Sequence, residues 1–226
     1  VDKHYGSYKF KEQEHTVTDL PGTYSLYPKS IDEEVACKVL FNKEEGVDVV
    51  VIVADASSLK RHLLLATQVV DLKKPCVLVL NMIDEADKNN LTIYKEELEK
   101  LLDISVVAVN SRNKAGINDL KEAITKAKIS SAIFYDFEKQ KQLFPQANSY
   151  QTIIESAVNS KEAHSEQLKQ YELSDNIFRF SKINYIIAKC IKKPEQLNKN
   201  ITQKLDAFFT HKIFGFAFFF LILFII

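Results

Sequence analysis

Asp19-Leu20-Pro21-Gly22 closes the alternating run His15-Thr16-Val17-Thr18, and Asn81-Met82-Ile83-Asp84 closes the apolar run Cys76-Val77-Leu78-Val79-Leu80. An Asp at the carboxyl end of a strand can hold a phosphate-bound magnesium ion through water. A Gly soon after it lets a backbone N–H approach a terminal phosphate with no side chain in the way. The later Asp can accept two hydrogen bonds, from the N1–H and the exocyclic amine of guanine, which adenine does not present. Each segment also has an ordinary reading. Pro-Gly is a common turn pair, Asn81 and Asp84 could cap the helix that follows, and Glu85 and Asp87 beside Asp84 suggest a solvated helix start. Both segments at strand ends, in this order, point to two parts of one guanine-nucleotide site.

The elements that must position these residues are legible. Val47 to Ala54 is β-branched and nearly continuous, the pattern of a strand covered on both faces, and Cys76 to Leu80 and Ser105 to Val109 repeat it. Helix-like segments lie between and around them, at Asp32 to Asn42, Leu59 to Leu72, Tyr94 to Leu102 and Ile117 to Ala127. Strands alternating with helices predict βαβ units, an α/β fold and a mostly parallel sheet. Tyr8 to Phe10 and Thr16 to Thr18 read as an antiparallel edge hairpin. In such sheets ligands sit beyond the carboxyl ends of the strands, where Asp19, Asp55, Asn81 and Asn110 all fall. Asp55, in Asp55-Ala56-Ser57-Ser58, reads as a structural or capping residue.

Beyond about Lys128 strand-like runs stop. Leu143 to Ala163 and Leu173 to Ile191 carry apolar residues at helical spacing, as in Ile177, Phe180, Ile183, Ile187 and Ile191. This predicts a small helical domain, with Pro145 and Pro194 as breaks. The chain then runs from Ile213 to Ile226, fourteen residues without a charge. As a helix they would extend about 21 Å, short of the roughly 30 Å hydrocarbon core. With no polar positions at helical period, the run reads as the beginning of a transmembrane helix. Lys192, Lys193, Lys199, Lys204 and Lys212 precede it and would lie on the cytoplasmic side.

Composition narrows the partners. Lys and Arg total 30, as do Asp and Glu, so no basic excess favours nucleic acid. Hydrophobic residues make up 46% and Gly and Pro are five each, which excludes a disordered or collagen-like chain. Three scattered cysteines, Cys37, Cys76 and Cys190, fit a reducing compartment better than a disulfide framework. Cys37 and Cys76 read as small buried apolar residues. The five histidines share no ligand spacing.

Asp19-Leu20-Pro21-Gly22-Thr23-Tyr24-Ser25-Leu26 and Asn81-Met82-Ile83-Asp84-Glu85-Ala86 closely resemble the ferrous-iron transport protein B family. That family joins a cytoplasmic GTPase domain, a helical domain and a polytopic membrane domain in one chain. Met82 supports the resemblance, since most GTPases of the superfamily carry Lys there. Asp206 to Phe219, with His211 and Gly215, is similar to the family's approach to its first membrane helix, and Arg179-Phe180 with Ile183 to a pattern of its helical domain.

The resemblance implies a P-loop GTPase-type fold at 1–128, a helical regulatory domain at 129–205 and the start of the first transmembrane helix at 206–226. Asp19 would hold the magnesium water and Gly22 sense the terminal phosphate, with Leu20 and Pro21 beside the nucleotide. Thr23, Tyr24, Ser25 and Leu26 would form the moving switch. Asn81 would tie the base loop to its neighbours, with Met82 beside it, and Asp84 would select guanine. Asn110-Ser111-Arg112 stands where the family usually has Ser-Ala-Arg, leaving the backbone N–H of Ser111 to meet guanine O6. The implied cofactors are GTP or GDP and Mg2+. The implied partners are the lipid bilayer and Fe(II) as transported ion, at the bacterial inner membrane with residues 1–205 on the cytoplasmic side. A homo-oligomer stays open.

No Gly-x-x-x-x-Gly-Lys-Ser/Thr occurs in the sequence. Val1-Asp2-Lys3 resembles the stretch directly after the family's magnesium-binding switch threonine. The phosphate loop, its central strand and its helix are therefore expected upstream of Val1, and residues 1–226 alone are expected to be inactive. Two rivals remain at this level. One is a soluble regulatory GTPase of the ribosome-assembly type, opposed by Met82, the neutral charge and the apolar tail. The other is a membrane-tethered nucleotide-binding module without catalysis.

Overall fold

His4–Phe10 (β1) and Gln13–Asp19 (β2) pair antiparallel, with His4 opposite Asp19 and Phe10 opposite Gln13. Lys11 and Glu12, both at positive φ (49° and 64°), form the two-residue turn. That turn twists with the strands it joins, so the hairpin extends beyond the short runs visible in the sequence. The computed structural model describes residues 4–41, 46–159, 166–192, 209–211 and 214–225. They belong to two units, 1–192 and 193–226.

In the first unit, Ile31–Phe41 forms α1. Its start is secured by Ser30, whose Oγ accepts from Glu33 N (3.3 Å), while Glu33 Oε2 accepts from Lys29 N (2.7 Å). Val50–Asp55 (β3), Cys76–Asn81 (β4) and Ser105–Ala108 (β6) make a parallel sheet in the order β3-β4-β6. Leu59–Asp71 (α2), Ile83–Lys88 (α3), Lys95–Leu102 (α4) and Ile117–Thr125 (α5) connect or flank these strands. β4 is central and buried from Cys76 through Leu80, as its unbroken apolar run requires.

The two faces of the sheet are covered unequally. On one, Ile52, Leu78 and Val106 join a large core with α2 and α4. On the other, Val77, Val79, Val107 and Val109 pack under Ile117, Leu120 and Ile124 of α5. Register puts Val51 beside Val77 and Val53 beside Val79 on that second face, yet Val51 and Val53 stay 38% and 59% exposed. Among the described residues β3 pairs only with β4, and the hairpin forms a separate sheet rather than an edge of the parallel one. The expected edge hairpin is thus present as a hairpin and displaced as an edge.

Phe137–Leu143 (α6), Tyr150–Asn159 (α7) and Glu166–Cys190 (α8) follow. Pro145 lies in the break between α6 and α7, so the helix read as beginning at Leu143 starts at Tyr150 instead. α8 has 25 residues, about 37 Å. Its buried stripe is Leu168, Tyr171, Asp175, Arg179, Ile183, Ile186 and Cys190. The expected apolar stripe is corrected in its first half: Ile177 is 66% exposed, and Asp175 and Arg179 are buried in its stead.

A buried ion-pair cluster explains that rotation. Arg179 Nε donates to Asp175 Oδ2 (2.8 Å) and Nη1 to Asp71 Oδ2 at the end of α2 (2.6 Å), with all three side chains fully buried. Tyr27 Oη and Tyr150 Oη donate to Asp175 Oδ2 (3.0 and 3.3 Å), Phe134 N donates to Asp71 Oδ1 (3.0 Å), and the guanidinium lies over the Tyr150 ring. Burial raises the Asp71 carboxyl above its ordinary value, against the pull of Arg179. After α8, Ile191–Lys192 (β7) pairs antiparallel with Thr92–Ile93 (β5), joined by Tyr94 N to Cys190 O (2.8 Å). A two-residue ladder of this kind leaves no periodicity to read.

The second unit contains Phe214–Ile225 (α9), twelve residues with Phe216, Phe220, Leu223 and Phe224 exposed. Among the described residues no helix is long and apolar enough to cross a membrane. Pro194, Lys193, Lys199, Lys204 and Lys212 lie outside the described residues.

Arg179→Met would leave Asp71 and Asp175 buried without their cation, and should lower unfolding free energy by about 3–5 kcal/mol in urea titration. Combining it with Asp71→Asn and Asp175→Asn should recover a large part of that loss, because the uncompensated charges go too. Burial pushes the Cys37 and Cys76 thiols up to about 12 and Cys190 up to about 11. All three should therefore resist a thiol reagent near pH 8 until denaturant is added; rapid labelling of the folded protein would contradict their buried placement.

Candidate guanine-nucleotide site

The parallel strands end in step. Asp55 lies opposite Asn81 and Leu80 opposite Ala108, and Val109 N donates to Leu80 O (2.8 Å). The loops after β3, β4 and β6 therefore open at one rim. Asp55 serves the local turn, with Oδ1 accepting from Ser57 N and Oγ (2.8 and 2.7 Å) and Oδ2 from Ser58 Oγ (3.0 Å). Burial alone would raise its carboxyl, and those hydrogen bonds bring it below its ordinary value. This is the structural role its sequence context predicts.

After β4 the chain turns sharply at Met82, which sits in the left-handed region (φ 58°). A non-glycine residue there costs on the order of 1 kcal/mol and marks a constrained loop. Met82 O accepts from Glu85 N and Ala86 N, and no side chain caps α3. Neither Asn81 nor Asp84 makes a capping hydrogen bond among the described residues, while Asp84 lies in the first turn of α3, where a carboxylate suits the helix dipole. Asn81 Oδ1 accepts from Ser111 N (3.4 Å), linking this loop to the one after β6. Asp84 Oδ2 lies 3.6 Å from Arg112 Nη1.

The loop after β6 is shaped by its own asparagines. Asn110 Oδ1 accepts from Arg112 N and Asn113 Oδ1 from Ala115 N, both at 3.0 Å, and Asn110 N donates to Ala115 O (3.0 Å). Gly116 closes it at φ +79°, where a Cβ would lie 2.1 Å from Ala108 O. Only glycine fits that approach.

After β2, Asp19 is exposed at the strand end, Leu20 and Pro21 are half-buried and Gly22 is exposed. A Cβ at position 22 would meet nothing within 4 Å, so the fold itself does not demand glycine there. Among the described residues, no hydrogen bond or ion pair joins Asp19–Gly22 to Asn81, Asp84, Ser111 or Arg112. The segment after Gly22 is tied elsewhere. Thr23 Oγ1 donates to Ser25 O (2.7 Å), and Tyr24 lies under the Arg61 guanidinium (3.7 Å to the ring) with the His62 ring beside it. Gln68 of α2 accepts from Leu26 N (2.8 Å) and donates to Ser25 Oγ (3.3 Å). Gln68 and Arg61, which hold this segment, belong to no local motif; a Gln among the apolar residues of α2 is the local signal.

The family model for ferrous iron transport protein B matches residues 1–124. The chain belongs to the ferrous iron transport protein B family. It is 30% identical over 255 aligned positions to the Fe(2+) transporter FeoB of Legionella pneumophila (strain Paris), covering all of this chain and 34% of that protein. The chain thus spans about a third of the length of this relative. Its fold is similar to the cytosolic domain of L. pneumophila FeoB (TM-score 0.69, 28% identity, 84% of each chain). It is equally similar to the apo cytosolic domain of the T. maritima FeoB iron transporter (TM-score 0.71, 25% identity, 85% of this chain and 86% of that one). A GMPPNP form of that T. maritima domain shares the fold (TM-score 0.69, 24% identity, the same coverage). Membership of this family disfavours the ribosome-assembly reading.

Gly116→Ala should destabilise the protein by ~2 kcal/mol or more, since the left-handed backbone and the clash with Ala108 O both penalise a methyl group. Thermal unfolding checks it. An unchanged midpoint would mean the loop relaxes freely.

Proposed function

We propose that residues 1–192 bind guanine nucleotide as the cytosolic part of a ferrous-iron transporter, with GTP binding and hydrolysis coupled to Fe(II) uptake across the bacterial inner membrane. The observation that carries this reading is the joining of the two base loops: Asn81 Oδ1 on Ser111 N, with Asp84 facing across to Arg112. In this reading Asp84 accepts from guanine N1–H and the exocyclic amine. Asn81 holds the Ser111 loop in place, and the turn at Met82 aims Asp84 at the base. Asn110 and Gly116 shape the loop that presents Ser111.

Asp19, Leu20, Pro21 and Gly22 face the phosphates. A single exposed carboxylate suits magnesium, which keeps most of its waters and takes its other ligands from phosphate. Asp19 would hold such an ion through water, and the ion would neutralise phosphate charge. Gly22 leaves room for a backbone N–H to meet the terminal phosphate. The nearest flexible part of the proposed switch is Thr23 and Tyr24, because Ser25 and Leu26 are bonded to Gln68. A phosphate loop on a strand pairing the open edge of β3, with its helix over Val51 and Val53, would complete this arrangement.

We assign residues 129–205 to a helical regulatory domain joined to the GTPase portion through the Arg179 cluster, with residues 1–205 cytoplasmic. Residues 206–226 would begin the first transmembrane helix. The support is α9, apolar throughout and too short alone to span a bilayer.

Asp84→Asn in the whole protein should weaken GDP binding about a hundredfold by calorimetry, the loss of a charged double acceptor being worth roughly 3 kcal/mol. It should also raise affinity for xanthosine diphosphate, whose extra carbonyl can accept from the new amide. Equal GDP affinity in the variant would remove Asp84 from the site. Gly22→Ala should fold normally and retain GDP, while slowing hydrolysis in stopped-flow assays; an unchanged rate would end the phosphate-sensor assignment. Membrane fractionation should find the protein resistant to carbonate extraction, and recovery in the soluble fraction would refute the membrane assignment.

A further inference from the structure

Guanine needs both oxygens of the selecting carboxylate along one edge, and at Asp84 one of them already faces a cation. Arg112 Nη1 lies 3.6 Å from Oδ2, with the Arg112 side chain 72% exposed and Asp84 34% exposed. The approach follows from how the loop is built. Asn110 Oδ1 fixes Arg112 N, Asn110 and Ala115 bridge the loop's two ends, and Asn81 Oδ1 draws Ser111 N toward α3. With Gly116 closing the turn against Ala108 O, the Arg112 backbone is held opposite Asp84 and its guanidinium reaches the carboxylate.

We propose that Arg112 competes with guanine for the Asp84 carboxylate and thereby tunes nucleotide affinity downward. This rests on Asp84 being the base acceptor. A guanidinium at Oδ2 offsets the negative charge that strengthens the carboxylate's hydrogen bonds to N1–H and the exocyclic amine. Guanine must displace that cation or share the carboxylate with it. The pair is exposed and longer than a direct hydrogen bond, so its effect is a modest one. Arg112 is thus an affinity-tuning residue. It raises the rate at which nucleotide leaves and leaves the choice of guanine to Asp84.

The two directions of effect are opposite and measurable. Calorimetry of the whole protein with GDP at low salt should find Arg112→Ala binding about threefold tighter. Near 0.5 M salt the ratio between variant and parent should approach one, because screening weakens the competing pair. In an Asp84→Asn background, titrated with xanthosine diphosphate, Arg112→Ala should change nothing, since no carboxylate is left to compete for. Weaker or unchanged GDP binding by Arg112→Ala at low salt would overturn the proposal, weaker binding meaning that the guanidinium supports the base. So would an equal gain in the Asp84→Asn background. A different result marks failure of the underlying site: if Asp84→Asn itself leaves GDP affinity intact, Asp84 is not the acceptor. Arg112 is a surface side chain, so these variants are expected to fold, and thermal unfolding verifies it.

Discussion

A single buried guanidinium determines how the helical portion meets the sheet. Arg179 is fully buried, and its two ion pairs reach Asp175 one turn earlier on α8 and Asp71 at the far end of α2. Taking an arginine and two carboxylates out of water is costly unless the geometry satisfies them. Here part of that satisfaction comes from three different parts of the chain, Tyr27 after β2, Phe134 before α6 and Tyr150 at the start of α7, while Asp175 Oδ1 and Arg179 Nη2 have no hydrogen-bond partner among the described residues. No other rotation of α8 would bring Asp175 and Arg179 to these partners. The cluster therefore fixes α8 in angle and register as apolar contacts alone would not. Ile177 and Leu173 are left facing solvent as a consequence.

The same cluster divides the segment after Gly22. Tyr27 is bonded to Asp175, and Leu26 and Ser25 to Gln68, so this half belongs to the core. Among the described residues, Asp19 to Tyr24 is held by the end of the hairpin ladder at Asp19, local bonds at Thr23 and the packing of Tyr24 against Arg61 and His62. Motion driven from the phosphate side would be taken up by residues 19–24 first. Displacing Leu26 or Tyr27 would strip buried polar groups of their partners, each at about 1–3 kcal/mol. At the opposite end of α8, β7 is paired to β5, which follows α3 and the proposed base loop. The long helix is consequently tied to segments following both halves of the proposed nucleotide site.

Core continuity follows from these ties. Leu26, Ile52 and Leu78 of the α/β layer share one hydrophobic cluster with Tyr150, Ile153 and Ile183 of the helices. A change of composition near Lys128 marks where the parallel strands stop, while the packing within residues 1–192 runs across that point. The opposite face of the sheet is finished only over β4 and β6, where α5 lies. Val51 and Val53 on β3 have the β-branched character of covered residues without the cover.

Local pattern alone determined the parallel strands, the helices between them, the hairpin and the placement of Asp55, Asn81 and Asn110 at strand ends. Those features depend on periodicity and on turn chemistry over a few residues, so they are written where they occur. The family resemblance was legible for the same reason, and the family match over residues 1–124 agrees with it. Tertiary structure decided what depends on distant partners. The buried face of α8 turned on Asp71, 108 residues from Arg179 in sequence, and no local pattern announces that a polar pair will be buried. The β5–β7 ladder, the Gln68 bonds and the Arg112–Asp84 contact are of this kind. Each joins residues whose types are unremarkable where they stand, and burial or proximity alone gives them their role.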